Sequence, residues 1–269
     1  MKTRTFLASL LFVPSFVFAQ TALPNAGLTP DSPFYFLDTL GETLQEFFTF
    51  SPEGKARLNI AFAAERMAEI QVMLATKGVD AKGLGTAQER LRSQLSDATD
   101  IVSKQKSEGK DVSELAKELN DSLVNSKSAL SGSLDSQKQA LEIKKHELEK
   151  QIEASRSAGD TAQVEASGKE LEQVNAQLTS LEPLKESLEN DVNEEQGKLE
   201  DEMSNDALEQ SMQQERDMFE SDAEKEKAAL ESMKDTLSPE EYQAQKAALE
   251  QKLDEEKKAL ETAQSGMKK

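Results

Sequence analysis

Between Asp111 and Leu199 apolar residues return at spacings of three and four, and that repeat limits the possible folds more than any other feature of the chain. Leu115, Leu119, Leu123, Leu130, Leu134, Leu141, Leu148 and Ile152 continue one face, and Leu171, Val174, Leu178, Leu181, Leu188, Val192 and Leu199 continue another. This spacing is that of a coiled-coil seam, and it predicts an all-α fold with long helices. Ser155 to Ala162, SRSAGDTA, separates the two runs and predicts a loop near 155–162. A hairpin turning at Gly159–Asp160 opposes residues whose numbers add to about 319. Leu148 then meets Leu171 and Leu141 meets Leu178, so residues 111–204 are expected to form an antiparallel coiled-coil hairpin with limbs of ~60 Å. The expected seam is Leu134, Leu141, Leu148, Leu171, Val174, Leu178, Leu181, Leu188 and Val192.

Several residues oppose this pattern. Ser131-Gly132-Ser133 weakens the first limb, Pro183 is expected to kink the second, and Lys185 and Glu195 occupy seam positions. From Glu182 to Glu209 there are 11 acids against two lysines, which predicts either a solvated, weakly helical block or a partly disordered one. A second hairpin is expected over 205–265, turning near 238–240 at Ser238-Pro239, where Ser238 is the helix cap and Glu241 completes capping-box spacing. Leu230 would then oppose Leu249, and Phe219 would oppose Leu260. One helix kinked at Pro239 is the rival arrangement.

The aromatic residues lie elsewhere. Of eleven phenylalanines, four fall before residue 20 and six fall between Phe34 and Phe62. Large aromatic side chains supply much of the area in a compact core, so a small helical domain is expected over 33–108. Ser32-Pro33 and Ser51-Pro52-Glu53 both carry the start signal of a helix, a serine cap followed by proline. The short Thr-Phe-Ser link between the two helices favours an antiparallel pair, with Phe47, Phe48 and Phe50 plugging its turn. The expected core is Tyr35, Leu40, Leu44, Phe47, Phe48, Phe50, Leu58 and Phe62, to which a third helix after Gly83 adds Leu84, Leu91 and Leu95.

Lys2 and Arg4, the apolar run Phe6–Phe18, and small residues at Val17 and Ala19 together predict an export signal over 1–19, followed by a linker over 20–32. An uncleaved anchor or a buried apolar helix is the alternative. A run of 13 residues is short of the ~20 needed to span a bilayer. The mature chain is expected outside the cytoplasm, in the periplasm, the cell envelope or the medium, with no membrane span after cleavage. Loss of Lys2 and Arg4 takes its formal charge from −19 to −21. That sign disfavours nucleic acid and anionic membrane surfaces as partners.

Residues 28–78 resemble a small helical domain family of unknown function found in exported and membrane-associated bacterial and archaeal proteins. The resemblance rests on Pro30, Ser32, Pro33 and Tyr35, then Phe50, Ser51, Pro52, Glu53, Lys55, Ala56 and Leu58, followed by Ala64-Glu65-Arg66. Gly54 departs from the pattern where a helix former is usual. The resemblance implies an exported helical module and brings no catalytic residues with it. The coil from Asp111 lies outside it.

Catalytic and metal chemistry find little support. His146 is the single histidine and sits among charges in KKHELE, and there is no cysteine. No zinc or haem site of ordinary composition can be assembled from these residues, so no cofactor is expected. Acid pairs such as Glu194-Glu195 lie on a solvated coil that offers no cleft to separate their pKa values. The expectation is a non-catalytic exported scaffolding protein whose coil binds a protein partner or a second copy. A chaperone-like holder of exported chains, or an acidic protein that responds to weak divalent-cation binding, is the alternative.

Overall fold

The computed structural model describes residues 23–234 and 237–266. The chain is all-α, with seven helices and no strand among the described residues: α1 (Tyr35–Phe48), α2 (Pro52–Lys77), α3 (Leu84–Ser107), α4 (Ser113–Ala158), α5 (Thr161–Glu200), α6 (Asn205–Ser232) and α7 (Pro239–Gly266). The leader at 1–19 lies outside the described residues.

Two antiparallel hairpins, α2–α3 and α4–α5, stack on each other. Arg57 bonds Glu118 and the Gln137 amide donates to the Leu74 carbonyl, so α2 runs parallel to α4. Arg92 pairs with Asp191, and Ser103 donates to Glu202, so α3 runs parallel to α5. The hydrophobic core follows this arrangement. Ile60, Met67, Ile70 and Leu74 of α2 meet Leu91, Leu95 and Val102 of α3, and the same cluster continues through Leu119, Leu123 and Leu134 of α4 to Leu181, Leu188 and Leu199 of α5. One four-helix core therefore crosses the joint at 108–111 where composition changes. The α2–α3 pair cannot close its apolar surface by itself, and the near limbs of the coil cover it.

The coil register is close to that expected from the leucines. Lys127–Asn193, Ser131–Glu189, Asp135–Lys185 and Lys138–Glu182 are bonded across the limbs at 2.6–2.8 Å, each pair adding to 320. The turn is tighter than the expected 155–162 loop. Only Gly159 and Asp160 lie outside the helices. Gly159 takes a left-handed φ of 73°, and Asp160 caps α5 by accepting from the Gln163 amide at 3.1 Å. Beyond the Lys144–Glu170 pair, bonded at 2.8 Å, the two limbs run on together to the turn.

The expected weak points are absorbed. α4 is continuous through Ser131-Gly132-Ser133, and α5 is continuous through Pro183, which sits exposed with Thr179, the residue whose carbonyl loses its helical donor. Lys185 is buried because its ammonium reaches Asp135 at 2.6 Å. Burial alone would raise the Asp135 carboxyl, but Lys185 and Lys252 hold it below the ordinary aspartate range. Glu195 is buried and accepts from the Thr99 hydroxyl of α3. The acidic block at 182–209 is helical on both sides of a short turn at 201–204, with Arg92, Lys106 and Lys198 paired to its carboxylates.

α6 lies parallel to α4. Ser204, Ser211 and Met233 bond Ser113, Asn120 and Gln139 in order along the two helices. α7 folds back on α6, with Lys252 bonded to Glu226 at 2.8 Å, so the hairpin form is the one present. Leu230, Met233, Leu237 and Tyr242 form a small second core against which Leu249 packs. Ser238 directly precedes α7, and its carbonyl accepts from the Tyr242 amide at 2.9 Å. The side chains of Glu241 and Leu260 lie outside the described residues.

The 20–32 stretch is tied down where it is described. Leu23 packs against the main core, Ala26 is buried, and Asp31 pairs with Lys77. Gly83 receives this segment at a φ of +93°. A Cβ there would lie 2.9 Å from the Pro30 Cβ and 3.1 Å from the Asp31 nitrogen. Gly83→Ala should therefore cost about 2 kcal/mol, read as a lower urea midpoint. An unchanged midpoint would mean that the segment does not pack on this turn.

Candidate functional site: an apolar helix facing outward over a buried charge cluster

α1 is an amphipathic helix set on the bundle the wrong way round. At ~100° per residue, Phe36, Leu37, Leu40, Leu44, Phe47 and Phe48 occupy one arc of about 120°. Tyr35, Asp38 and Glu42 lie on the opposite side. The polar side faces the bundle. This corrects the expected core. Leu40 and Leu44 are 53% and 49% exposed, and Phe47, Phe48 and Phe50 are 69%, 66% and 84% exposed, so they plug nothing. Of the remaining expected core residues, Phe62 is buried, while Leu58 and Tyr35 are half-buried.

The physical reason lies on α2. Its apolar side is filled by α3 and α4, and the surface it offers to α1 carries Glu65, Arg66 and Glu69. A guanidinium without solvent must be matched by acceptors, so α1 turns its carboxylates inward. Arg66 is fully buried. Its Nη2 lies 2.6 Å from Glu42, 2.9 Å from Glu69, 3.4 Å from Asp38 and 3.6 Å from Glu65. Its Nη1 donates to the Tyr35 hydroxyl at 2.6 Å. Arg90 of α3 donates to the same hydroxyl at 3.2 Å and to Glu42 at 3.4 Å. Both guanidinium carbons lie over the Tyr35 ring, at 5.7 and 5.3 Å from its centre.

Four carboxylates here face two guanidiniums. Burial pushes the Glu69 carboxyl up to about 8 against the pull of Arg66, with Asp38 and Glu42 adding to the rise. Burial also raises Glu42 and Glu65. Such a shift is common at active sites. Here Arg66 and Glu69 have no exposed surface on which a substrate could act. The cluster is a clamp that holds α1 to the bundle.

Residues 27–122 match the family described as Domain of unknown function (DUF5667). Comparison with curated proteins and with solved structures gives no match. The DUF5667 domain is wider than the resemblance over 28–78. It takes in α3 and the first turns of α4, beyond Asp111. That span holds every member of the charge cluster and the whole outward face of α1. Spacing alone would have found part of the cluster, since Glu65-Arg66 and Glu69 on α2 mirror Asp38 and Glu42 on α1.

Two of the expected caps fall in the DUF5667 domain. Ser51 caps α2, its hydroxyl accepting from the Gly54 amide at 3.0 Å. Ser32 does not cap α1, which begins two residues later than expected, with Phe34 at the cap position. Its hydroxyl accepts from the Phe34 amide in a preceding turn, because Asp31 on Lys77 and Pro30 on Gly83 pin the chain there.

Outside the DUF5667 domain, the seam residues Leu134, Leu148, Val174, Leu181, Leu188 and Val192 are buried, and Leu141, Leu171 and Leu178 are half-buried. A cleft of about 740 Å³ runs between α4, α5, α6 and α7, with Asp135, Glu226 and Lys252 on its walls. His146 is half-buried on α4. Among the described residues, no group of three or more histidine or carboxylate side chains is placed to hold a metal ion. No helix among them is long and apolar enough to cross a membrane.

Proposed function

We propose that this is a non-catalytic exported scaffolding protein that meets its surroundings through the outward face of α1, with the coil serving as its rigid body. One observation carries the reading. The exposed large apolar side chains among the described residues are Leu28, Phe34, Phe36, Leu37, Leu40, Leu44, Phe47, Phe48, Phe50 and, apart from these, Val72. An apolar patch of this extent on a soluble chain marks an interaction site. Most of the coil seam is buried within the α4–α5 hairpin and the four-helix core, which favours α1 over the coil as the contact surface. Export is supported by Lys2, Arg4, the apolar run to Phe18 and the small residues Val17 and Ala19, and by the setting that the resemblance implies.

Light scattering after size exclusion of residues 20–269 tests the reading. The expected result is an elongated monomer, or an association that disappears in the Leu40→Asp, Leu44→Asp variant. A dimer that persists unchanged in that variant would place the contact in the coil and overturn the assignment to α1.

A further inference from the structure

We propose that the outward face of α1 binds the surface of a neutral, zwitterionic lipid bilayer, so that the bundle lies along the membrane. This rests on the reading of α1 as the contact surface and adds its occupant. Three observations on the molecule select a bilayer. The apolar arc spans about 120°, wider than the narrow seam that one partner helix covers, and Phe34 and Phe50 extend it at both ends. A second copy of α1 would leave much of that arc in water, whereas immersion in the headgroup boundary covers all of it.

The second observation is how few residues separate the apolar run from the core. The apolar run ends at Phe18, and Leu23 already packs on the bundle core. Five residues reach at most ~17 Å when extended. While the leader is still attached during export, this short link holds the bundle beside the bilayer with α1 at hand. α1 pairs antiparallel with α2, Tyr35 on Glu69 and Asp31 on Lys77, so contact through its face lays the bundle axis along the surface.

The third is charge, which specifies the lipid. No lysine or arginine occurs between Arg4 and Lys55, while Asp31, Asp38, Glu42, Glu46 and Glu53 do. Interfacial helices that seek anionic lipid carry basic residues beside the apolar face. This one has none, and the chain around it is strongly acidic. Phosphatidylcholine suits the face, and phosphatidylglycerol repels it.

The test uses residues 20–269 and vesicles of pure phosphatidylcholine or of phosphatidylcholine with phosphatidylglycerol. Co-sedimentation should be clear with the first and weaker with the second at low salt. Replacing Phe36, Leu40, Leu44 and Phe47 with serine should cut partitioning by about 100-fold with little change in thermal midpoint, because these side chains are about half or more exposed. Absence of cysteine allows a second readout that does not depend on those substitutions. A polarity-sensitive dye on Leu40→Cys should shift to the blue with phosphatidylcholine vesicles, while the same dye on Asp160→Cys at the coil tip should not. No dye shift with vesicles overturns the bilayer as occupant. If the Leu40→Cys dye then shifts with protein concentration alone, α1 remains the contact surface and a second copy is its occupant. If neither shift occurs, the reading of α1 as a contact surface falls as well.

Discussion

Leu188→Asp is expected to unfold the α2–α3 pair together with the coil, although residue 188 lies 81 residues beyond the end of α3 at Ser107. Leu188 is 1% exposed and belongs to the same core as Met67, Leu91 and Leu123. A carboxylate there has no cation designed to meet it, and the lost transfer energy and the buried charge each cost several kcal/mol. Domains of this kind are stable by only ~5–15 kcal/mol, so most of the margin goes. The comparison is the pair Leu171→Asp and Leu178→Asp. Both residues are half-buried on the α5 limb of the coil, where water can reach the new charges. That double variant should fray the limb and leave the four-helix core standing. Hydrogen exchange read separately over 52–107 and 141–178 distinguishes the two. If Leu188→Asp leaves 52–107 protected, the α2–α3 pair has its own core and the shared one described here is wrong.

That shared core shows what the sequence could and could not convey. The seam of the coil was legible because its register is a local matter: a two-residue turn at Gly159–Asp160 and a repeat of three and four decide which leucine meets which. Lys185 and Glu195 look like faults in that repeat because their partners, Asp135 and Thr99, come from other helices. The stacking of one hairpin on the other was not legible either, since nothing in the periodicity of α4 says that its near half also covers α2. The orientation of α1 was the largest misreading. Its amphipathic pattern is plain in the sequence, but a pattern names a face and not its occupant. The apolar side goes inward only when the neighbour offers apolar surface. α2 offers Arg66, and the solvation of one guanidinium outweighed the habit of six apolar side chains.

Arg66→Met should be as damaging as a core truncation, and its effect should grow with pH. Removing the guanidinium leaves Glu42 and Glu69 buried with Arg90 alone nearby, a loss of about 3–5 kcal/mol for a broken buried pair. The pH dependence follows from Glu69. Its carboxyl titrates at about 8 in the folded chain against an ordinary value of 4.5, so between those limits the folded state holds a proton that the unfolded state has released. Stability must then fall as pH rises through that window. Burial moves Glu42 and Glu65 the same way. Carboxylates held low, such as Glu118 beside Arg57, contribute their loss only on acidification below the ordinary value of 4.5 and do not cancel the trend. The wild-type thermal midpoint should therefore decline from pH 5 to pH 8, and Glu69→Gln, which keeps the shape without the titration, should flatten the decline and be the more stable form at pH 8. In Arg66→Met the decline should steepen, because the cation opposing the rise is gone. Exchange protection of residues 35–48 should fall first, since the cluster is what joins α1 to α2. A wild-type midpoint that climbs from pH 5 to pH 8, with Glu69→Gln less stable throughout, would make Glu69 an ionised partner of Arg66 at neutral pH. α1 would then be held by an ordinary buried ion pair, and its grip on the bundle would not weaken toward alkaline pH.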